Sequence, residues 1–254
     1  MVAFARASFI AELEYRANFI IRIITDIFWY LAQIFTFETL FLHTKLIGSW
    51  SVEQTRVFLG LVFVSDAIYM VFFHDNLDRM TERVRKGDLD LLLAKPVNSQ
   101  FMISTQYFAV ALLGNLLIAV AWFSWSLSQL PNFEALRLLW LLLLIPAGVL
   151  SLYSIRFMVA ATAIIFTKAD NIQYLWYQTY KLGLRPDSIY APWLRLFILT
   201  VLPLAAVASV PARALLDPPE LVLFAWVTVW SAALLLISNR FWRYALRYYS
   251  SASS

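Results

Sequence analysis

Two charged residues fall where the chain is otherwise apolar. Asp66 sits near the middle of the run 57–74, and Arg156 sits in the inner half of the run 138–166. A charge at the centre of a bilayer costs about 2.5–3.5 kcal/mol on insertion scales, so such a residue needs a partner or a wet cavity. At about 1.5 Å of rise per residue, both lie roughly 12–16 Å from the same membrane boundary. They are therefore expected to pair or to share a hydrated cavity. Two uses stay open: a polar lining for a path, or an ion pair that locks two helices. Asn115, in a third apolar run, can line such a path or hydrogen-bond a neighbouring helix. Arg22 and Asp26, four residues apart, share a face of the first run, where a snorkelling Arg22 needs no further role.

Other chemistry is poorly supplied. No Gly-x-x-x-x-Gly-Lys-Ser/Thr occurs, and six glycines leave little for any phosphate loop, so no cofactor-binding site is expected in this chain. No Gly-x-Ser-x-Gly elbow and no cysteine is present, which removes the usual acyl-transfer and thiolate nucleophiles. His43 and His74 fall on opposite membrane sides in the topology below, so no metal site is expected. No catalytic residues can be assembled, and the chain is read as not being an enzyme.

The elements that position these residues follow from composition. Of 254 residues, 61% are hydrophobic and 14% charged. A soluble domain is nearer half apolar and a quarter charged, so one globular core cannot hide this excess. The reading is all-α, one polytopic domain over 1–254, with six transmembrane helices over 19–42, 57–74, 101–127, 138–166, 194–215 and 221–241. Continuous apolar runs, without period-two alternation, argue against a β-barrel. With the N-terminus inside, only Lys45, Arg56, Arg137 and Arg213 of the 20 Lys and Arg fall outside. Arg156 lies within a span and the other fifteen lie inside, which favours both termini in the cytoplasm. The net charge of +4 then points to anionic lipid headgroups and away from nucleic acid. Phe4, Phe9, Ile10 and Leu13 oppose Arg6, Glu12, Glu14 and Arg16, predicting an interfacial helix over 3–16.

Two inner connections carry most of the polar residues. In 75–100, a charged helix over 75–86 has an apolar edge at Leu77, Met80 and Val84 and stops at Gly87. It serves as a docking surface or as a solvated loop; composition leaves both open. In 167–193, Tyr174, Trp176, Tyr177, Tyr180, Tyr190 and Trp193 form a belt on the headgroups or a lateral gate for a lipid-like substrate. Ala205, Ala208, Ser209 and Ala212, between Pro203 and Pro211, mark a closely packed and kinked fifth span.

The segment Arg85-Lys86-Gly87-Asp88-Leu89-Asp90-Leu91-Leu92-Leu93-Ala94-Lys95-Pro96-Val97 resembles a signature of ABC-2-type transporter permeases. It is closest to small six-span bacterial permeases that work with a separate ATPase. Glu14-Tyr15-Arg16-Ala17-Asn18-Phe19 resembles that family's entry to its first span, and Pro186-Asp187-Ser188-Ile189-Tyr190 its approach to the fifth. The resemblance implies an ATP-driven exporter in a bacterial inner membrane, with an amphipathic or lipid-linked substrate. It also implies a second permease, identical or homologous, meeting at spans one and five, and a cytosolic ABC ATPase dimer that holds the ATP and Mg. The loop between spans two and three would be the coupling helix. Asp78, Glu82, Arg83 and Arg85 would meet the ATPase, while Gly87, Asp88 and Pro96 would shape the return to the membrane. The helix over 3–16 would resemble the family's connecting helix. Two rivals remain: an ion-coupled secondary transporter using Asp66, and a non-transporting membrane scaffold.

Overall fold

The structure is a computed structural model that describes residues 16–131, 133–166 and 170–249. The helix expected over 3–16 falls outside these residues except at its last position. The described residues form helices joined by short turns and loops, with one isolated bridge between Ile47 and Trp50. Five helices are long and apolar enough to cross a membrane: α1 (Arg16–Phe41), α2 (Val52–Lys86), α5 (Val110–Ser128), α6 (Ala135–Ile165) and α10 (Leu221–Tyr248). Between them run α3 (Leu89–Leu93), α4 (Ser99–Thr105), α7 (Asp170–Tyr180), α8 (Pro192–Thr200) and α9 (Ser209–Leu216).

The central helix is α2. Ser51 opens it with a capping box, in which Gln54 N–H donates to Ser51 Oγ at 3.4 Å and Ser51 N–H donates to Gln54 Oε1 at 2.9 Å. Val57, Phe58, Leu61 and Phe63 are completely buried, so this helix is enclosed by others along its length. Helix α5 packs on one side, where a Cβ on Gly60 would fall 2.9 Å from Phe123 Cα. On the other side lies α6, with α10 packed along it and a Ser151–Ser231 hydroxyl bond of 2.7 Å between them. By contrast α1 is mostly exposed, showing Ile20, Ile21, Phe28, Leu31 and Phe35 outward.

Two of the six expected spans are not single rods. The run 101–127 divides into α4 and α5, with a break over 106–109 that contains neither Pro nor Gly. Its cause lies on α2, where Met70–His74 forms a π turn. Ala109 N–H donates to Val71 O at 3.1 Å, within that turn. Asn76, buried, donates to Tyr107 O at 2.7 Å and accepts from Tyr107 N–H at 2.9 Å. The broken backbone is thus satisfied by the neighbouring helix.

The run 194–215 is likewise not one helix. It folds as α8, a 3-10 turn over Leu204–Ala206, and α9. Proline lacks the N–H needed inside a helix, and Pro203 lies within the interruption after Thr200. The turn presses into α6, where a side chain on Gly148 would overlap the Ala206 carbonyl. Ser65 Oγ on α2 donates to Val207 O at 2.8 Å.

The connection 167–193 was expected to stay at the inner end. Instead its described part, 170–193, runs beside α2 along the bundle. Gln173 Nε2 donates to Thr81 Oγ1 at 2.7 Å, Tyr177 OH to Asp78, and Tyr180 OH to Asp66 at 2.8 Å. Ser188 then packs against Gly48, beyond the opposite end of α2. There Asp187, fully buried, bridges Arg195 on α8 and Arg213 on α9, with Arg195 Nε at 2.9 Å. Arg137 Nη1 donates to Asp217 O at 2.8 Å and ties the start of α6 to the end of α9.

Candidate functional site

A cavity of about 310 Å³ lies inside the bundle, walled by α1, α2, α5, α6 and α7. Its charged and polar lining includes Asp26, Asp66, His74, Asn115 and Arg156 from four helices, with Lys181 just past α7. Trp29, Tyr30, Trp176 and Tyr180 supply aromatic wall. Sequence alone placed Asp66 and Arg156 at similar depth, and both do line this one cavity.

They do not pair. Arg156 Nη2 forms its ion pair with Asp78, one long step down α2 from Asp66. Tyr177 OH donates to Asp78 Oδ2 at 3.1 Å, and His74 Nε2 lies 3.2 Å from the same oxygen. The Arg156 guanidinium also stands 5.5 Å from the Tyr177 ring centroid. Asp66 instead accepts from Tyr180 OH. The physical reason is reach. Arginine is long and flexible, and Asp78 offers a carboxylate already framed by two further donors, while α7 inserts Tyr180 beside Asp66.

Asn115 Nδ2 donates to Asp26 Oδ2 at 2.5 Å, linking α5 to α1 at the cavity. Arg22 does not simply snorkel: its two terminal nitrogens meet both oxygens of Asp75 at 2.7 Å. That bidentate geometry fixes the α1–α2 contact.

The end of α2 carries the other group of expected site residues, and here too the placement differs. Glu82 and Arg85 are exposed, with Glu82 paired to Lys86 at 2.6 Å. Asp78 turns inward to Arg156, and Arg83 Nη1 donates to Ile103 O on α4 at 3.3 Å. Both were expected on a partner-facing surface; the helix turn puts them on the packed side with Leu77 and Met80, which are completely buried. Gly87 has φ +76°, the left-handed conformation that glycine adopts without strain. Its N–H donates to Val84 O and that of Asp88 to Arg83 O, the paired bonds of a Schellman cap. Asp88 and Pro96 are exposed on the return through α3.

Several residues of the site were not singled out from sequence. Tyr69 and Lys181 line the cavity; so do Asp26, read only as sharing a helix face with Arg22, and Trp176, Tyr177 and Tyr180, read as a headgroup belt or a lateral gate. The available signal was spacing, since 176, 177 and 180 share one helical face. Tyr174 and Trp193 are exposed, as a belt requires. The small residues Ala205, Ala208, Ser209 and Ala212 are buried against this chain's own α2 and α6, so they do not form an outward seam.

With this geometry in hand, the chain was compared with known proteins. Residues 27–253 match the family described as ABC-2 family transporter protein. The chain belongs to the ABC-2 transporter family. Comparison with curated proteins and with solved structures returned no match. As an ABC-2 family membrane component, the chain is a permease of an ABC transporter, embedded in a membrane and associated in general with ABC ATPase partners. The matched residues include the whole of the α2–α4 region and the cavity lining apart from Thr25 and Asp26.

Proposed function

We propose that this chain is a permease subunit that exports an amphipathic or lipid-linked substrate. It pairs with a like permease and is driven by separate cytosolic ATPase subunits that bind at the Lys86 end of α2. The observation that carries this reading is the length of α2. Its 35 residues make a rod of about 52 Å, while a hydrocarbon core is about 30 Å thick. Roughly 15 Å or more must therefore stand outside the hydrocarbon. The charged surface Glu82, Arg85, Lys86 and Asp88 lies at that end, closed by the Gly87 cap.

The topology we propose has six crossings, with α7 and the turns after it as the fifth. Helices α8 and α9 then form a re-entrant pair at the Gly48 end. An even number of crossings leaves both termini on the α2-tip side. That side keeps Arg79, Arg83, Arg85, Lys86, Lys95, Arg240, Arg243 and Arg247, which makes it the cytoplasm of a bacterial inner membrane. Lys181, Arg185 and Arg195 leave the cytoplasmic tally without reversing the bias.

In this arrangement the chain binds no nucleotide; ATP and Mg belong to the partner. A push on the tip acts on a rigid lever. Asp78 carries it to Arg156 on α6 and Tyr177 on α7, and Asp66 carries it to Tyr180. Those helices wall the cavity, so the same displacement reshapes the path. The outward apolar face of α1 is left for lipid or for the second permease.

Charge reversal at the tip tests this. The double change Glu82→Lys and Arg85→Glu should leave melting in detergent unchanged, because both side chains are exposed. It should abolish co-purification with the cognate ATPase. An ATPase that stays bound and active with the reversed tip would overturn the docking assignment.

A further inference from the structure

The cavity brings carboxylates and unpaired donors together. Asp26 and Asp66 present the carboxylates, and neither forms an ion pair among the described residues. The nearby cations are engaged elsewhere: Arg22 with Asp75, and Lys181 Nζ with Gln178 Oε1 at 3.0 Å. Two carboxylates on one cavity repel each other, and a cation between them removes that cost. The rings of Trp29, Tyr30, Trp176 and Tyr180 offer such a cation their electron-rich faces.

The same lining also holds donors without acceptors. Arg156 is only 1% exposed, and its Nε and Nη1 have no hydrogen-bond partner. The Tyr69 hydroxyl, on a residue 6% exposed, has none either. Buried polar groups of this kind are almost always bonded in native proteins. A guanidinium with Nε and Nη1 both buried and unbonded has the two donors that match a phosphate's two oxygens. At about 310 Å³ the cavity lies at the lower end of the ~300–1,000 Å³ range of small-molecule sites. It has room for a head group and not for a whole lipid.

We propose that this cavity binds an ammonium–phosphate zwitterion, with the ammonium between Asp26 and Asp66 and the phosphate on Arg156 and Tyr69. The proposal goes beyond the coupling reading and holds whether the zwitterion is cargo or a resident ligand. Its test therefore uses the full-length chain without an ATPase, so failure here is distinct from failure at the α2 tip.

Calorimetric titration of the chain, purified in a non-ionic detergent free of phosphate, would use glycerophosphoethanolamine as probe. Ethanolamine and glycerol 3-phosphate are the half-ligand controls. Saturable binding of the zwitterion, tighter than either half, is expected. Asp66→Asn keeps the acceptor for Tyr180 and should weaken the zwitterion roughly tenfold or more while sparing glycerol 3-phosphate. Arg156→Lys keeps a charge beside Asp78 but loses the guanidinium edge, and should weaken both phosphate probes. If that variant does not fold, Tyr69→Phe removes one donor without touching a charge and should weaken them in the same sense. A second arm reconstitutes the chain in nanodiscs of phosphatidylethanolamine or of phosphatidylglycerol and weighs retained lipid by native mass spectrometry. Selective retention of the ethanolamine lipid, lost in Asp66→Asn, identifies a lipid headgroup as the source; binding of the soluble probe alone identifies a free solute. No saturable binding of either form, or binding indifferent to all of these substitutions, overturns the proposal.

Discussion

Each end of the bundle interrupts an apolar run, and the two ends hold the interruption with different chemistry. At the α2-tip end, the break over 106–109 is held by neutral groups: Asn76 on both backbone atoms of Tyr107, and Val71 O on Ala109 N–H. On the Gly48 side, the break after Thr200 carries Pro203 and turns against Ser65 and Gly148, and a buried carboxylate, Asp187, clamps Arg195 and Arg213 on the two helices it joins. Neutral backbone bonds can be exchanged along a helix at modest cost. A buried ion cluster cannot be opened without stranding charge. The difference assigns roles: the tip end can shift when it is pushed, and the Gly48 end is the fixed frame against which it moves.

The comparison is sharpened by removing its holding groups in turn. Asp187→Asn should be the most damaging, since it leaves two arginines, one of them buried, around a neutral side chain. A loss of about 3–5 kcal/mol is expected in equilibrium unfolding in mixed micelles. A near-neutral result would mean that the cluster is not a staple and the assignment of frame and mover fails. Asn76→Ala exposes no charge but leaves the Tyr107 amide and carbonyl without these partners; about 1–3 kcal/mol is expected in the same assay. Hydrogen exchange should rise over 105–109 and stay unchanged over 187–216. Gly87→Ala acts on the cap at the outer tip, where φ is +76°, and should cost only about 1–2 kcal/mol. A loss as large as that of Asp187→Asn would mean the tip is part of the rigid frame.

Much of the fold was legible because hydropathy reports burial in lipid directly. Runs 19–42, 57–74, 138–166 and 221–241 correspond to α1, α2, α6 and α10. Polar neighbours misled in both directions. The run 194–215 is apolar enough for a span, yet most of α9 is buried in protein and α8 shows Trp193 and Leu196 outward, on either side of a chain reversal. The segment 170–190, which we propose as the fifth crossing, is too polar to read as a span: Tyr180 and Asp187 bond to protein groups, while Tyr174 and Leu175 stay exposed. Hydropathy measures contact with hydrocarbon and is blind to a helix shielded by others.

By itself the sequence determined that this chain lives in a membrane, that it holds no Gly-x-x-x-x-Gly-Lys-Ser/Thr motif, and that Asp66 and Arg156 need company there. Insertion energy and motif chemistry act residue by residue, so they can be read without a fold. Only tertiary structure decided which company each one has. Arg156 meets Asp78 and not Asp66, a choice set by how α2 and α7 pack beside it. Pairing between helices depends on rotation and depth together, and a chain of letters fixes neither until the helices are packed.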